Sequence, residues 1–167
     1  LPAADFGLAR KFSKPERPMT PRVVTLWYRA PELLFGEETY TTAVDMWSVG
    51  CIFGELLQNK PLLPGSRERE QVDLICALLG TPTERIWPSF SRLPHAAMYR
   101  LPEVRFDDVA ARFSTRTEAA RKLLKALLTY HPPSRISVRS ALRADFFRES
   151  PRACAPVLLP TYPEVRN

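Results

Sequence analysis

Cysteine is scarce in this chain. The three cysteines, Cys51, Cys76 and Cys154, are odd in number, widely spaced and never arranged as a C-x-x-C pair. They therefore indicate neither a disulfide framework nor a zinc site. Because Cys51 and Cys76 fall inside apolar runs, we expect them to be small buried hydrophobic residues. This cysteine usage favours a reducing compartment inside the cell, nuclear, cytoplasmic or both.

Long apolar runs and a concentrated charge excess are also missing. No uninterrupted apolar stretch is long enough to cross a bilayer and no signal-peptide pattern is found, so we expect no membrane partner. The 24 Lys+Arg exceed the 18 Asp+Glu by 6, which is too diffuse to indicate nucleic-acid binding. The 167 residues, 45% of them hydrophobic, are predicted to form one domain with a hydrophobic core.

Proline, in contrast, is abundant and divides the chain. Residues 5–31 contain Pro15, Pro18 and Pro21, which exclude a helix there. This segment is predicted to be a long loop, and loops of such length inside a compact domain are usually functional. The tail at residues 148–167 is also proline-rich and is predicted to be extended.

Helical periodicity dominates between these two segments. Apolar spacing predicts four helices, at about residues 41–59, 68–79, 117–129 and 138–144. The first of them is apolar around most of its circumference, so we expect it to be buried at the centre of the core. Residues 81–116 are punctuated by prolines and are predicted to be irregular. With no β-hairpin pattern, the architecture is predicted to be mainly α.

Short motifs indicate phosphoryl-transfer chemistry. Asp5, in an Asp-Phe-Gly triplet, has a carboxylate that can bind a hard cation such as Mg²⁺ beside a nucleotide. Glu32 closes an Ala-Pro-Glu triplet at the end of the same loop, and these two triplets around a phosphorylatable loop are a protein-kinase signature. Asp45, within Asp-Met-Trp-Ser-Val-Gly, and Arg135 then follow in the kinase order. Four such features together make coincidence a poor explanation.

The chain resembles a cyclin-dependent protein kinase over nearly all of its length. The segments that carry the resemblance are residues 5–10 (DFGLAR), 23–32 (VVTLWYRAPE), 45–51 (DMWSVGC) and 79–82 (LGTP). Finer features, at residues 19–21, 62–65 and 160–167, are typical of one member of that family.

The resemblance implies a partial protein-kinase fold, namely the helical C-terminal lobe without the β-rich N-terminal lobe. Residues 1–147 would form this partial domain, with an activation segment at 5–32 and a helical core at 41–147, followed by the tail at 148–167. A glycine-rich loop, a strand lysine, and an H-R-D aspartate with its asparagine are needed for kinase catalysis and do not occur in the chain. We therefore expect an incomplete C-terminal-lobe fragment that is inactive in isolation.

The resemblance also implies roles for three residues early in the activation segment. Asp5 would bind Mg²⁺, and Thr20 would be the activating phosphothreonine. Arg10 would clamp the phosphate, because arginine offers a planar fork of donors to phosphate oxygens.

Substrate recognition is assigned by the same resemblance to Val23, Val24, Thr25 and Arg29. Val23, Val24 and Arg29 match a pocket that accepts a proline directly after the target residue, while Thr25 would help to position the catalytic loop. Proline suits such a pocket because it has no backbone N–H to leave unpaired. The implied substrates are Ser-Pro and Thr-Pro sites.

Other residues are implied to be structural. Glu32 and Arg135 would form a buried bidentate ion pair, and Asp45 would accept backbone N–H groups of the catalytic loop. Trp27 and Trp47 are predicted to be core residues.

The full-length parent is accordingly expected to be a serine/threonine kinase that uses ATP and Mg²⁺ and binds a cyclin. The alternative is a non-catalytic truncated isoform that binds a partner or substrate. A third interpretation is a nonfunctional product of an incomplete gene model, since the chain starts at Leu1 without a methionine or a helix cap.

Overall fold

The fold was obtained as a computed structural model, which describes residues 25–152 and the single residues 154 and 158. The α-helices of this part are α1 Pro31–Leu34, α2 Ala43–Gln58, α3 Glu68–Leu79, α4 Val109–Arg112, α5 Glu118–Leu127 and α6 Val138–Ala141. Short 3-10 helices lie at Leu26–Tyr28, Phe90–Arg92, Ala96–Met98, Pro132–Ser134 and Asp145–Arg148. No β-strand occurs in residues 25–152. The predicted mainly α class is therefore confirmed.

Helix α2 is the central element and has well-defined ends. Thr41 Oγ1 accepts the backbone N–H of Ala43 at 3.2 Å, which satisfies one donor of the first turn. The helix ends at Asn59, whose φ of 55° lies in the left-handed region that asparagine tolerates better than most residues. The predicted bounds of 41–59 thus differ from the observed Ala43–Gln58 only at the caps.

One face of α2 packs closely on its neighbours. Trp47 and Cys51 on this face are 0% exposed. Gly50 brings α2 against the end of α5, because a Cβ at this position would lie only 2.8 Å from Leu128 Cδ2. Gly54, one turn later, allows an equally close approach to the loop before α3, where a Cβ would lie 2.7 Å from Leu62 Cδ2. Glycine at these two positions lets backbone and side chains reach interior packing density.

The opposite face of α2 is open to solvent. Val49, Ile52 and Leu56 are 48, 49 and 72% exposed, and their spacing of three and four residues makes them one stripe. The expectation that α2 is buried at the centre of the core therefore holds for Trp47 and Cys51 but is wrong for these three residues.

Replacing Ile52 and Leu56 together with lysine is expected to reduce aggregation of the chain, because it removes a contiguous exposed apolar stripe. The free energy of unfolding should change by no more than about 0.5 kcal/mol per site, as is usual for exposed positions. Static light scattering against protein concentration measures the effect. A charge-matched control carries Ala110→Lys and Ala111→Lys, at exposed positions of α4. Equal improvement in the control would show that net charge, rather than the stripe, sets solubility.

The other predicted helices are found close to their expected bounds. Helix α3 spans the expected residues and stops at Gly80, whose φ of 82° is accessible mainly to glycine. Helix α5 starts where Thr117 Oγ1 accepts the backbone N–H of Ala120 at 3.2 Å, and it ends two residues before the predicted terminus. Helix α6 is shorter than predicted, and the chain continues from it into the 3-10 helix Asp145–Arg148.

The buried thiols should make the free energy of unfolding depend on pH in the alkaline range. Burial raises the pKa of Cys51 from 9.0 to about 12 and that of Cys76 from 9.0 to about 11. Above about pH 9 the unfolded chain releases these protons while the folded chain retains them, so the free energy of unfolding should fall. Below that pH these thiols should contribute no pH dependence.

Urea denaturation at half-unit steps between pH 7 and pH 10 measures this loss. The variant Cys51→Ala should show a shallower decline above pH 9, because one of the two protons is gone. An unchanged decline in that variant would assign the pH dependence to other groups, such as Tyr130, whose burial raises its pKa well above 10.

Candidate functional site

Residues 25–35, hereafter the anchored segment, contain the end of the predicted activation loop. The 3-10 helix Leu26–Tyr28 begins where Thr25 O accepts the backbone N–H of Tyr28 at 2.9 Å. Helix α1 then starts at Pro31, where a proline lacks only an N–H that has no helical partner anyway. The sequence predicted a loop up to residue 31, so these two short helical turns are additional structure.

Glu32 and Arg135 form a bidentate ion pair at the base of the anchored segment. Arg135 Nη1 lies 2.7 Å from Glu32 Oε1, and Arg135 Nη2 lies 2.9 Å from Glu32 Oε2. The two side chains are 0% and 2% exposed, so water does not screen the pair. Parallel donors and acceptors give this pair orientation as well as energy.

The remaining donors of Arg135 are also satisfied. Its Nη1 donates to Ala43 O at 2.7 Å, its Nη2 to Tyr130 O at 3.1 Å and its Nε to Thr129 O at 2.9 Å. The guanidinium carbon lies 5.2 Å from the centroid of the Trp47 ring, within cation–π range. One side chain thus joins the anchored segment, the start of α2 and the residues that follow α5.

The first turn of the anchored segment is held by further contacts. Trp27 Nε1 donates to Gly65 O at 3.0 Å, and Trp27 O accepts from Gln71 Nε2 at 3.3 Å. Tyr28 O accepts from Ser48 Oγ at 2.9 Å. These bonds reach the loop before α3, α3 itself and α2. Trp27 is nevertheless 37% exposed, so its prediction as a core residue is wrong, whereas Trp47 is fully buried.

Arg29 is oriented by an ion pair with α3. Its Nη1 lies 2.7 Å from Glu68 Oε1, and the Arg29 side chain is only 13% exposed. Glu68 is the first residue of α3, where a carboxylate is also favoured by the helix dipole. The sequence interpretation did not include Glu68, because a glutamate 39 residues away from its partner has no local signature.

Thr25 and Asp45 lie at the surface of the described structure. Both residues are exposed, and the Asp45 side chain forms no hydrogen bond with any residue between 25 and 152. Partial desolvation by surrounding groups raises the pKa of Asp45, although the side chain retains solvent access. An exposed carboxylate in this state can still accept backbone N–H groups.

A cavity of about 550 Å³ also opens near the start of α2. Its lining includes Glu32, Tyr40, Trp87, Leu93 and His131. Of the described residues to which the sequence assigned a site role, it includes only Glu32, whose two oxygens are already bonded to Arg135. The cavity is therefore not the predicted substrate-recognition site.

Comparison with known proteins identifies the family. A family model described as the protein kinase domain matches residues 1–147. The chain belongs to the protein kinase family. Cyclin-dependent kinase 10 of Rattus norvegicus and of Homo sapiens are 52% and 51% identical to it over 164 residues, 98% of the chain. Human cyclin-dependent kinase 11B is 48% identical over 164 residues. The kinase therefore lies in the cyclin-dependent branch. The finer features at residues 19–21, 62–65 and 160–167 are typical of cyclin-dependent kinase 10.

Two solved kinase complexes resemble the described fold. The yeast RNA polymerase II CTD kinase complex CTDK-1 gives a TM-score of 0.84 at 37% identity, over 89% of this chain and 50% of that one. The CAK complex of Chaetomium thermophilum, bound to ATP-gamma-S, gives a TM-score of 0.81 at 45% identity, over 91% of this chain and 48% of that one. The helices of this kinase chain thus correspond to a helical C-terminal lobe, as predicted.

The kinase chain is shorter than its relatives. It spans about half the length of cyclin-dependent kinase 10, namely 46% of the rat protein and 46% of the human protein. It spans 21% of the length of human cyclin-dependent kinase 11B.

Several predicted kinase site residues lie outside the described residues. They are Asp5, Arg10, Thr20, Val23 and Val24. Within the described part, no group of three or more His, Cys, Asp or Glu side chains is arranged to hold a metal ion. The same part has no helix that is long and apolar enough to span a membrane.

Proposed function

We propose that the whole protein is a serine/threonine kinase of the cyclin-dependent type, which transfers the γ-phosphoryl group of ATP to Ser-Pro and Thr-Pro sites. The 167 residues supply the substrate-side half of this enzyme. We also propose a cyclin as its partner, in line with the names of its relatives, and a place in the nucleus, the cytoplasm or both.

The observation that carries this proposal is that several ion pairs and hydrogen bonds hold the anchored segment in one position. Residues 25–35 are held by the buried Glu32–Arg135 pair, by the Arg29–Glu68 pair and by the hydrogen bonds of Trp27. A segment that must receive a protein substrate has to be preorganised, because each loosely held residue adds an ordering cost on binding. Anchoring by three separate elements provides such preorganisation.

Recognition of proline after the target residue is proposed for Val23, Val24 and Arg29, with Thr25 positioning the catalytic loop. Arg29 supports this role because its ion pair with Glu68 fixes the direction of its side chain, which is 13% exposed. A proline suits a pocket that offers no partner for a backbone N–H. Thr20 is proposed as the activating phosphorylation site and Arg10 as one of its phosphate ligands.

ATP and Mg²⁺ are proposed for the full-length parent, with Asp5 of the Asp-Phe-Gly triplet as a metal ligand. Asp5 lies outside the described residues, and within residues 25–152 no group of three or more His, Cys, Asp or Glu side chains is arranged to hold a metal ion. When bound, Mg²⁺ would neutralise charge on the phosphates. The residues described here hold the substrate side in place, and Asp45 is proposed to support the catalytic loop.

The isolated chain is expected to transfer no phosphoryl group. It contains no H-R-D aspartate to orient the substrate hydroxyl and no glycine-rich loop over the phosphates. Incubation of the purified 167-residue chain with labelled ATP, Mg²⁺ and a Ser-Pro peptide should give no signal above a no-enzyme control. Turnover that survives repeated purification would contradict the incomplete-kinase interpretation.

The role of Arg29 can be tested in a longer protein that contains the missing catalytic elements, assayed with its cyclin. Arg29→Ala should lower phosphorylation of a Ser-Pro peptide by about 10- to 100-fold, because small misplacements of the substrate segment are costly. The exposed neighbour Arg67 provides the matched control Arg67→Ala, which should act like the unmodified enzyme. Equal losses in both variants would remove the evidence for a specific role of Arg29.

The alternative function is a non-catalytic isoform that binds a partner or a substrate. The exposed stripe of Val49, Ile52 and Leu56 favours it, since such stripes are often covered by another surface. Retention of the chain on immobilised purified cyclin, and its loss in the variant with Ile52→Lys and Leu56→Lys, would support this function. Absence of retention would leave the incomplete kinase as the better interpretation.

A further inference from the structure

The chain contains three positions at which a serine or threonine is followed directly by proline. They are Thr20-Pro21, Thr81-Pro82 and Ser150-Pro151. Thr20 has already been assigned to the activation segment and lies outside the described residues. The other two dipeptides lie among the described residues, and their hydroxyl groups differ in exposure and hydrogen bonding.

Thr81 is locked into the fold. Its Oγ1 accepts the backbone N–H of Val104 at 2.9 Å and donates to Pro102 O. Its backbone N–H donates to Val104 O at 2.8 Å. Both hydrogen-bonding functions of the hydroxyl are therefore used, and an incoming kinase could reach it only after local unfolding of this segment.

Ser150 is free of such contacts. Ser150, Pro151 and Arg152 are all exposed, and none of the three forms a hydrogen bond with a residue between 25 and 152. The preceding residue, Glu149, has extended backbone angles with φ of −70° and ψ of 160°. An exposed segment with unused donors and acceptors can be bound by another protein without first breaking hydrogen bonds of its own fold.

The surroundings of Ser150 suit a phosphate. Arg148 precedes it by two residues, Arg152 follows it by two, and both are exposed. Among residues 25–152, the ion-pair partner of Arg148 is Asp145, a weak one with 3.7 Å between Nη1 and Oδ1. A phosphoserine brings about two negative charges and three acceptor oxygens, which arginine side chains bind through charge-assisted hydrogen bonds.

We propose that Ser150 is a phosphorylation site for a proline-directed serine/threonine kinase, with Arg148 and Arg152 as neighbouring cations for the product phosphate. The Ser150 Oγ bonds to the γ-phosphorus of ATP while the bond from that phosphorus to the β–γ bridging oxygen breaks. ADP leaves with the electron pair of that bond, and the hydroxyl proton passes to the general base of the acting kinase. The proposal does not depend on catalytic activity of this chain, because the acting kinase is a separate enzyme.

The test treats the folded 167-residue chain with an active cyclin-bound cyclin-dependent kinase and ATP, and quantifies phosphate at each site by mass spectrometry of the digested chain. Ser150 should carry at least about tenfold more phosphate than Thr81, because labelling of Thr81 requires local unfolding. Ser150→Ala should abolish the signal in the peptide that spans residue 150. Ser114, which is exposed, lies outside the helices and is followed by Thr115, serves as the matched serine without proline and should stay unmodified.

Synthetic peptides that cover residues 77–85 and 146–154 separate sequence preference from fold. Acceptance of both peptides, with only Ser150 modified in the folded chain, would support protection of Thr81 by its hydrogen bonds. The proposal is overturned if Ser150 stays unmodified in the folded chain, whether or not its peptide is accepted, or if Thr81 is labelled there as fast as Ser150.

The effect of Arg148 and Arg152 on the phosphate is measured by ³¹P NMR titration of the phosphorylated chain. Pairing with arginine favours the dianionic phosphate, so the second pKa of phosphoserine should lie below its usual value of about 6 and should rise in Arg148→Ala and Arg152→Ala. An unchanged titration in both variants would remove the arginines from the proposal.

Discussion

Replacing Arg135 with methionine is expected to lower the free energy of unfolding by about 3–5 kcal/mol, the usual cost of removing one partner of a buried ion pair. The Glu32 carboxylate would remain at 2% exposure without its counter-charge. Ala43 O, Thr129 O and Tyr130 O would also lose their donor. Each unsatisfied buried acceptor adds to the destabilisation.

Urea denaturation at pH 7, followed by circular dichroism, measures this loss. Arg139→Met is the matched control, since Arg139 is exposed on α6, and it should change the free energy of unfolding by no more than about 0.5 kcal/mol. A double variant with Glu32→Met and Arg135→Met removes the orphaned charge but still removes the hydrogen bonds that Arg135 donates to three carbonyl groups. It should therefore recover only part of the lost stability. A small effect of Arg135→Met, equal to that of the control, would contradict the central role of the ion pair.

Replacing Phe35 with alanine is expected to destabilise the chain by about 3–5 kcal/mol, the range for deletion of a buried aromatic ring. Phe35 is 2% exposed and ends α1. Its ring makes edge-to-face contacts with Trp87, Phe90 and Tyr99, at centroid distances of 5.7, 4.9 and 5.5 Å. Such pairs contribute beyond the area that they bury.

The loss at Phe35 should appear in two measurements. Thermal unfolding reports the global effect, and amide hydrogen exchange should show earlier opening of residues 87–99, which the ring holds against α1. Phe106→Ala makes the same chemical change at a side chain that is 82% exposed, and it should be close to neutral. If both phenylalanine variants unfold at the same temperature as the unmodified chain, the aromatic cluster is not the anchor described here.

Arg135 and Phe35 both hold the anchored segment in place, through different contacts. Arg135 fixes the anchored segment through Glu32, and Phe35 fixes the end of α1 against the region between α3 and α4. The segment proposed to receive substrate is therefore fastened by buried contacts that contribute to global stability. Variants of either residue should impair recognition through misplacement of the segment, even though neither residue is proposed to touch substrate.

Helix positions could be predicted well from the sequence, because they depend on local patterns. Helix α3 spans the predicted residues, and Gly80 ends it with a φ that other residues avoid. The predicted start of α2 was two residues early, because Thr41 and Thr42 can both act as the N-cap, and the predicted end of α5 was two residues late. The short turns of the anchored segment were missed, because prolines and too few residues hide any periodicity.

Burial was harder to predict than helicity. Trp27 was expected in the core, but its indole N–H reaches Gly65 O and its ring is partly exposed. Because α2 is apolar around most of its circumference it was expected at the centre of the core, yet Val49, Ile52 and Leu56 are exposed in the described part of the chain. Hydrophobicity states what a side chain would gain from burial, and only the surrounding elements decide whether burial occurs.

The sequence by itself determined the helical class and the kinase family, because periodicity and motif order are properties of neighbouring residues. The Asp-Phe-Gly and Ala-Pro-Glu triplets are readable without any coordinates. The tertiary structure alone decided that Arg29 pairs with Glu68 and that Arg135 also bonds to Ala43, Thr129 and Tyr130. It likewise distinguished Ser150 from Thr81, two hydroxyls that both precede a proline. Glu32 and Arg135 are 103 residues apart, and only folding brings such distant groups within hydrogen-bond distance.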